Sequence, residues 1–398
     1  MDRIAGIAAA LRNASLDGWL FYDFRMSDPL AYRILAIPEQ GLTTRRWFCF
    51  VPANGVPVAI VSAVEAHRLD ALSFPGRIVY RSERDMKAAL ASVLKGLQRI
   101  AMDYSPNCAI PYVSRVDGGT IELVRSLGAE VVSAADLIQL FEATLTPAQL
   151  EGHRRAAAAL RKIVMGTFAE IARQIRGGQK CSEAAIQRFV LDLITASGMR
   201  TDEPPIVAVN ANAANPHFST GAGHDTPIRN GDLVLIDLFA KEKDDNAIYG
   251  DLTWMGYVGD GVPDELAQVF AIVAQARDAA VTLVQRRIAD GQTITGAEAD
   301  RAARSIIEAA GYGDQFVHRT GHSIGREVHG TGANLDSLET NDERSLIENT
   351  CFSVEPGIYL IGRFGMRSEL DMTITNGCAE VSAAPAQKSI IPILAGSD

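Results

Sequence analysis

The sequence predicts an α/β domain over residues 1–145 followed by an α+β domain over residues 146–398. Three observations carry this. Short apolar runs of strand type alternate with helical patterns through the first part, the mark of a partly parallel sheet with crossover helices. Thr146-Pro147-Ala148-Gln149 then combines an N-cap threonine, a proline at the first helical position and a glutamine three residues past the cap, so a long helix starts there. From that helix onward the order is two helices, strands, two helices, strands, a duplication of elements without a repeat in the residues.

The chain opens MDRIAGIAAALRNASLDGW. Arg3 and Arg12 flank a short alanine-rich stretch with polar spacing, which predicts an amphipathic helix rather than the unbroken apolar segment of a secretory signal. WLFYD (19–23) predicts a strand. RWFCFVPANGVPVAIVS (46–62) predicts a hairpin that turns at Asn54-Gly55, a dipeptide that accepts the positive φ of tight hairpin turns. RIVYR (77–81), RIAMDY (99–104) and AEVVSA (129–134) predict further strands, separated by helices near 84–96, 115–127 and 135–142. No glycine-rich phosphate loop follows any of these strands, so the domain reads as a scaffold or lid without chemistry of its own.

In the second domain the first helix runs to Gly177-Gly178. His153, near its start, has no acidic or imidazole neighbour at i+3 or i+4 and reads as a solvated or packed side chain. Ser182 caps a second helix through Ala196, stopped by Gly198. Pro263-Asp264 begins a third helix to about Ala289, and Thr295 caps a fourth that ends at Gly311. The tail beyond Gly377 is small and apolar and carries no motif.

Composition narrows the function classes. The formal net charge, 38 − 48 = −10, argues against nucleic acid or an anionic membrane as partner. No uninterrupted apolar run approaches the roughly 18 residues that span a bilayer. The cysteines at 49, 108, 181, 351 and 378 are odd in number, scattered and without a C-x-x-C pair, which points to a reducing compartment, the cytoplasm, and no disulfide framework.

The chemistry gathers around FVHRTGHSIGREVHG (316–330), which holds three of the seven histidines: His318, His322 and His329. Carboxylates surround it in segments where charge is costly. Asp237 sits inside the apolar run LVLIDLFA, Asp251 begins DLTWMGYVG, and Glu355 and Glu369 lie in the strand-like FSVEPGIY and MRSELDMTIT. Desolvated carboxylates need a partner charge or a metal. Four of them with one neutral imidazole carry enough negative charge to neutralise two divalent cations, so the set reads as a two-metal hydrolase site. The acidic loop KEKDDNAIYG also offers Asp244 and Asp245 as alternatives to Asp251.

At this point the sequence resembles the pita-bread metallopeptidases, the family of methionine aminopeptidase, aminopeptidase P, prolidase and the non-metal relative creatinase. The matching segments, in the family's order, are NPHF (215–218), LVLIDLFA (233–240), DLTWMGYVG (251–259), HRTGHSIGREVH (318–329), FSVEPGIY (352–359) and MRSELDMTIT (366–375). The resemblance implies a creatinase-like N-terminal domain and a pita-bread catalytic domain over 146–398. It implies Asp237, Asp251, His322, Glu355 and Glu369 as the metal ligands, with Asp251 preferred over its neighbours because Asp-x-Thr matches there. Two divalent ions follow, manganese first, with cobalt, zinc or iron as alternatives; the oxygen-rich set excludes a thiolate-type site. By the same likeness His217 and His329 line the active site and hydrogen-bond the substrate carbonyl and its oxyanion, Glu355 passes the proton of a metal-bridging hydroxide, and His318 is structural. Creatinase-like enzymes lose these ligands.

The implied function is a dinuclear exopeptidase that hydrolyses Xaa-Pro bonds in dipeptides or short peptides, acting as a homodimer. The alternatives are a metallohydrolase of other amide specificity, or an inactive relative that serves as a binding module. Two departures bear on specificity. Gly330 follows His329 where many relatives carry an acid. Arg344 is the one arginine in the loop before Glu355 that could read a dipeptide's C-terminal carboxylate.

Overall fold

A computed structural model describes residues 3–38, 43–72, 75–220 and 225–396. The chain divides into two compact units between Glu142 and Ala143. Leu145 goes with the second: its N–H donates to the Asn349 carbonyl (2.7 Å) and its side chain is buried with Leu150, Ile248 and Tyr249.

The first unit runs α1 (Arg3–Asn13), β1 (Gly18–Asp23), α2 (Pro29–Leu35), β2 (Trp47–Pro52), β3 (Val58–Ser62), β4 (Gly76–Tyr80), α3 (Glu83–Leu94), β5 (Arg99–Met102), α4 (Gly118–Ser126), β6 (Glu130–Ser133) and α5 (Ala135–Ile138). The strands form one sheet in the order β4-β3-β2-β1-β5-β6. β1, β2 and β3 pair antiparallel, and β3–β4, β1–β5 and β5–β6 are parallel. Successive strand residues face opposite sides, so both faces need cover. Trp19, Phe21, Trp47 and Cys49 pack with Ile7, Leu11, Leu30, Ile34 and Leu137 of α1, α2 and α5. Leu20, Tyr22, Phe48 and Phe50 pack with Met86, Leu90, Ile121 and Val124 of α3 and α4. The short α2 has no counterpart in the sequence expectations. Its N-terminus is fixed by the Asp28 carboxylate, which accepts from the Ala31 N–H, and by Pro29 in the first turn.

The second unit runs α6 (Pro147–Arg176), α7 (Glu183–Ala196), β7 (Met199–Arg200), β8 (Ile206–Val209), β9 (Leu233–Glu242), β10 (Gly250–Tyr257), α8 (Asp264–Ala289), α9 (Gly296–Ala309), β11 (Ser323–Ile324), β12 (Thr350–Val354), β13 (Gly357–Leu360), β14 (Phe364–Arg367), β15 (Leu370–Thr375), β16 (Cys378–Val381) and β17 (Ile391–Pro392). Reciprocal capping boxes start α6 (Thr146 with Gln149) and α9 (Thr295 with Glu298). One sheet has the order β17-β10-β9-β7 with β8 also on β9, another the order β11-β12-β15-β16, and β13 and β14 form a hairpin. Each helix pair backs a sheet. Val234, Ile236 and Leu238 of β9 pack on α6 and α7. Leu235, Met255, Phe352, Val354, Met372 and Ile374 share a core with α8 and α9. Asp237 therefore continues the Leu233–Leu235 face of β9, turned away from α6. Among the described residues α8 alone has the length and mean hydropathy (1.3) of a membrane span. Its Val269, Phe270, Val273, Ala276, Ala280 and Val284 are buried in this core.

The first unit also buries two carboxyls against each other. Asp28 and Asp103 are 0% and 1% exposed. Asp103 Oδ1 accepts from the Trp19 indole N–H (2.8 Å), while Asp28 Oδ2 and Asp103 Oδ2 are buried without a donor. Two carboxyls so placed share one proton. Burial and then the Asp103 charge raise Asp28 well above its ordinary value, and burial pushes Asp103 up to about 6. The folded unit thus keeps a proton that the unfolded chain releases above 3.8. Stability present below that value is lost as pH rises toward the raised pKa values. Asp28→Asn puts an amide N–H in place of the shared proton. We expect its melting temperature to fall less than the wild type's between about pH 5 and about pH 8; parallel profiles would show that no proton is shared.

Candidate metal centre

The antiparallel β9–β10 ladder places Asp237 opposite Thr253 and Phe239 opposite Asp251. Directly paired residues and those two apart share a face, so Asp237 and Asp251 are diagonal neighbours on one side of the sheet. The loop between the strands carries the other acids away: Asp245 pairs with Arg200 (3.0 Å) with its side chain 96% exposed, and Asp244 Oδ1 accepts from the Asn246 N–H.

β12, β15 and the His-rich segment supply the opposite wall. The His322 N–H donates to Ser353 Oγ (3.0 Å), and the Ser353 N–H donates back to the His322 carbonyl (2.8 Å). His322 Nδ1 lies 3.2 Å from the Ser323 carbonyl, which turns Nε2 toward the acids, 3.3 Å from Glu355 Oε1 and 3.6 Å from Asp251 Oδ2. Gly321 permits this approach, since a Cβ there would sit 2.0 Å from the Ser353 carbonyl oxygen. The Glu355 N–H is held by the Thr320 carbonyl (2.7 Å), and Ser353 Oγ donates to Glu355 Oε1 (3.1 Å). Glu369 Oε2 accepts from Thr253 Oγ1 (2.6 Å), and its N–H donates to the Thr253 carbonyl (3.1 Å). Ligand atoms of Asp251, His322 and Glu369 all lie within 4.8 Å of one another. The segment carrying His322 is itself pinned from α9, where Asp300 takes the Arg304 guanidinium on both oxygens and accepts from the Thr320 N–H and hydroxyl, while Arg304 donates to the Phe316 and His318 carbonyls.

Burial first, and then the neighbouring negative charges, hold Asp251 and Glu369 well above the usual carboxylate range and raise Asp237. Glu355 is the exception: burial opposes its charge, but His322, His318, Arg367 and Arg319 outweigh it and lower its pKa. Among the described residues the Arg367 guanidinium is ion-paired within the set. Arg367, buried, pairs with Asp237 Oδ2 and donates through Nε to Thr253 Oγ1 (3.0 Å). The donor set is four acids, three buried and Glu355 partly so, with one imidazole, and at Asp237, Asp251 and Glu369 burial and mutual repulsion outweigh what the Arg367 guanidinium relieves. It contains no thiol, since Cys351 sits beside His153 instead. Such a set fits hard or borderline divalent cations.

The remaining histidines differ in placement. The His329 ring lies edge-on to His322, with centroids 4.5 Å apart, at a solvent-open position; desolvation and the nearby His322 and Arg319 lower its pKa. His318 is bound between the Arg319 carbonyl and the Tyr359 hydroxyl (2.7 Å each), and burial pushes it down to about 4. His217 is exposed; its backbone N–H donates to Asn215 Oδ1, and its ring has no hydrogen bond among the described residues. Arg344 is fully committed elsewhere. It holds Asp342 through Nε and Nη2 and donates to the Thr331 and Gly332 carbonyls, so it is a structural residue of its loop.

Two supporting groups escaped sequence reasoning. Asp371 Oδ2 accepts the Asp251 N–H (2.8 Å), and His153, fully buried, reaches the same place from α6. The signal was present in MRSELDMTIT, where Arg367, Glu369, Asp371 and Thr373 recur at every second residue; Arg367 ends β14, Glu369 lies in the connection, and Asp371 and Thr373 share a face of β15.

The whole chain is similar to known proteins. A protein of Mycobacterium tuberculosis named probable dipeptidase PepE is 26% identical over 407 residues, covering 98% of this chain and 96% of that one. The crystal structure of dipeptidase PepE from Mycobacterium ulcerans superposes with a TM-score of 0.70 at 26% identity, over 98% of this chain and 97% of that one. A Xaa-Pro dipeptidase of Lactobacillus delbrueckii subsp. lactis is 34% identical over 177 residues, which is 43% of this chain and 42% of that protein. Residues 151–376, the stretch that contains every acid and imidazole of the site, match the model of metallopeptidase family M24, and the chain belongs to that family.

Proposed function

We propose that the protein is a dinuclear metallo-exopeptidase that hydrolyses Xaa-Pro bonds of short peptides. The observation that carries the reading is the convergence of Asp251, Glu369 and a single imidazole, His322, with Glu355 3.3 Å from that imidazole and Asp237 beside them, where the buried acids lack enough counter-charge. These five residues would hold two divalent cations, manganese first. Bound there, the cations supply Lewis-acid polarisation of the scissile carbonyl and a water activated at neutral pH.

The protein's own groups do the rest. Arg367 holds the Asp237 carboxylate and Thr253 that of Glu369, and Arg367 also donates to Thr253, which links the two. Glu355, lowered in pKa and hydrogen-bonded by Ser353, is the acid placed to take a proton from the attacking water and pass it to the leaving nitrogen. His329, neutral at physiological pH and open at the mouth, donates to the oxyanion as the carbonyl becomes tetrahedral. His217, on the exposed NPHF loop, is assigned the substrate carbonyl by family likeness alone.

Proline after the scissile bond makes a tertiary amide without an N–H. A site that grips the carbonyl and the free α-amine tolerates this, and the names of relatives at modest identity, dipeptidase and Xaa-Pro dipeptidase, fit such substrates. With Arg344 tied to Asp342, that residue does not clamp a dipeptide's carboxylate. Both Xaa-Pro and Xaa-Pro-Yaa should therefore be substrates, and the free amine should be required. The test compares kcat/KM for Ala-Pro, Ala-Pro-Ala, Ala-Ala-Ala and an N-acetylated analogue. Equal or better cleavage of Ala-Ala-Ala removes proline specificity, and turnover of the acetylated peptide removes the exopeptidase claim.

Residue roles separate by metal content. His329→Ala should lower kcat about 10²-fold or more with bound metal unchanged, as for a lost oxyanion donor. His322→Ala and Asp251→Ala should lose metal, measured by elemental analysis after desalting. Loss of metal in His329→Ala with retention in Asp251→Ala would overturn the assignment.

A further inference from the structure

The outer edge of β10, away from β9, has no continuous neighbouring strand. Its odd-numbered residues present their peptide groups there, and each finds a different partner. The Ile393 N–H reaches the Tyr257 carbonyl (2.8 Å), and the Gln387 side chain takes both the N–H and the carbonyl of Met255 (2.9 and 2.7 Å). The Glu369 N–H reaches Thr253. At the end that carries Asp251 the partners are two buried side chains. Asp371 Oδ2 accepts the Asp251 N–H, and His153 Nδ1 lies 2.6 Å from the Tyr249 carbonyl.

That carbonyl can only accept, so His153 carries its proton on Nδ1. Nε2 is then an acceptor, and the Ser382 hydroxyl donates to it at 2.7 Å. The ring is 0% exposed, with Cys351 Sγ at 3.3 Å and Asp371 Oδ2 at 3.9 Å from Nε2. With Nε2 occupied as an acceptor, His153 and Asp371 are neighbours and not an ion pair. Between the two held peptide groups lies Gly250, where a Cβ would sit 2.7 Å from the Ala157 N of α6. The helix backbone therefore presses directly on the strand, and the two side chains bracket the contact.

We propose that His153 and Asp371 are positioning residues for Asp251: from α6 and β15 they hold the peptide groups on either side of Gly250, and so set where the Asp251 carboxylate meets its cation. Removing either partner lets the Tyr249–Asp251 segment shift on α6 or β15 and so displaces the Asp251 carboxylate without changing that side chain. The inference rests on the two-metal reading of the site.

The test is Mn²⁺ binding to metal-stripped protein by calorimetry, with melting temperatures measured alongside. His153→Leu and Asp371→Leu remove the hydrogen bonds and should weaken Mn²⁺ binding about tenfold or more, as loss of a ligand-orienting partner does. His153→Asn keeps an N–H near the Nδ1 position, and Asp371→Asn keeps an oxygen for the Asp251 N–H. Both should bind within about threefold of wild type. At saturating Mn²⁺ the leucine variants should regain turnover with KM unchanged. Leucine variants that bind as tightly as wild type overturn the proposal, as do asparagine variants weakened as far as their leucine counterparts. If a leucine variant does not fold, its asparagine counterpart decides alone: near-normal affinity supports the proposal and tenfold weakening overturns it. A wild type that takes up no Mn²⁺ overturns instead the reading of the site itself.

Discussion

Mutual repulsion among desolvated carboxylates is the constraint around which the second unit is built. Asp237, Asp251 and Glu369 are 8%, 4% and 3% exposed, and one guanidinium, Arg367, lies among them. At such burial an unneutralised charge is expensive enough to drive protonation or local opening. A fold keeps such an arrangement when a ligand, absent from the unfolded chain, repays the cost on binding. The raised pKa values of Asp251 and Glu369 express the same strain.

Holding these groups still demands a scaffold that cannot yield, and it is made largely of side chains reaching backbone. Asp300 and Arg304 fasten the segment before His322, Ser353 ties His322 to Glu355, and Thr253 links Arg367 to Glu369. Along β10 the missing neighbour strand is replaced by His153, Asp371 and Gln387. Regular ladders alone would leave Asp251 near a strand end and His322, Glu355 and Glu369 just beyond one, where fraying is easiest. The pins move rigidity to the places where the acids sit.

Much of this was legible in the sequence because it follows local rules. The caps at Thr146, Ser182 and Thr295 mark α6, α7 and α9 where they occur, since side-chain–backbone hydrogen bonds within four residues depend on nothing distant. Alternation put Asp237, Asp251, Glu355 and Glu369 in strand-like runs, and the cost of burying acids there pointed to a metal; Asp237 and Asp251 do lie in β9 and β10, whereas Glu355 and Glu369 fall in the short connections after β12 and before β15. What escaped depends on contacts between residues far apart in the chain. His153 looks unremarkable on its helix because its partners are Tyr249, Cys351 and Ser382. The tail beyond Gly377 shows no motif, yet it supplies Gln387 and Ile393 to the edge of β10. The seven-residue α2 is too short for its periodicity to register, and its capping Asp28 reads as one more loop acid. Arg344 stood out by position alone; the carboxylate of Asp342, two residues before it, occupies it.

Counting cations tests most directly whether the buried acids exist to hold a metal pair. Metal-stripped protein titrated with Mn²⁺ in two buffers of different ionisation enthalpy reports both the stoichiometry and the protons displaced. Two cations bound per chain, with protons released from carboxyls that burial had kept protonated, is the predicted result. Saturation at fewer than two, or binding unaltered when Glu369 is replaced by alanine, would contradict it.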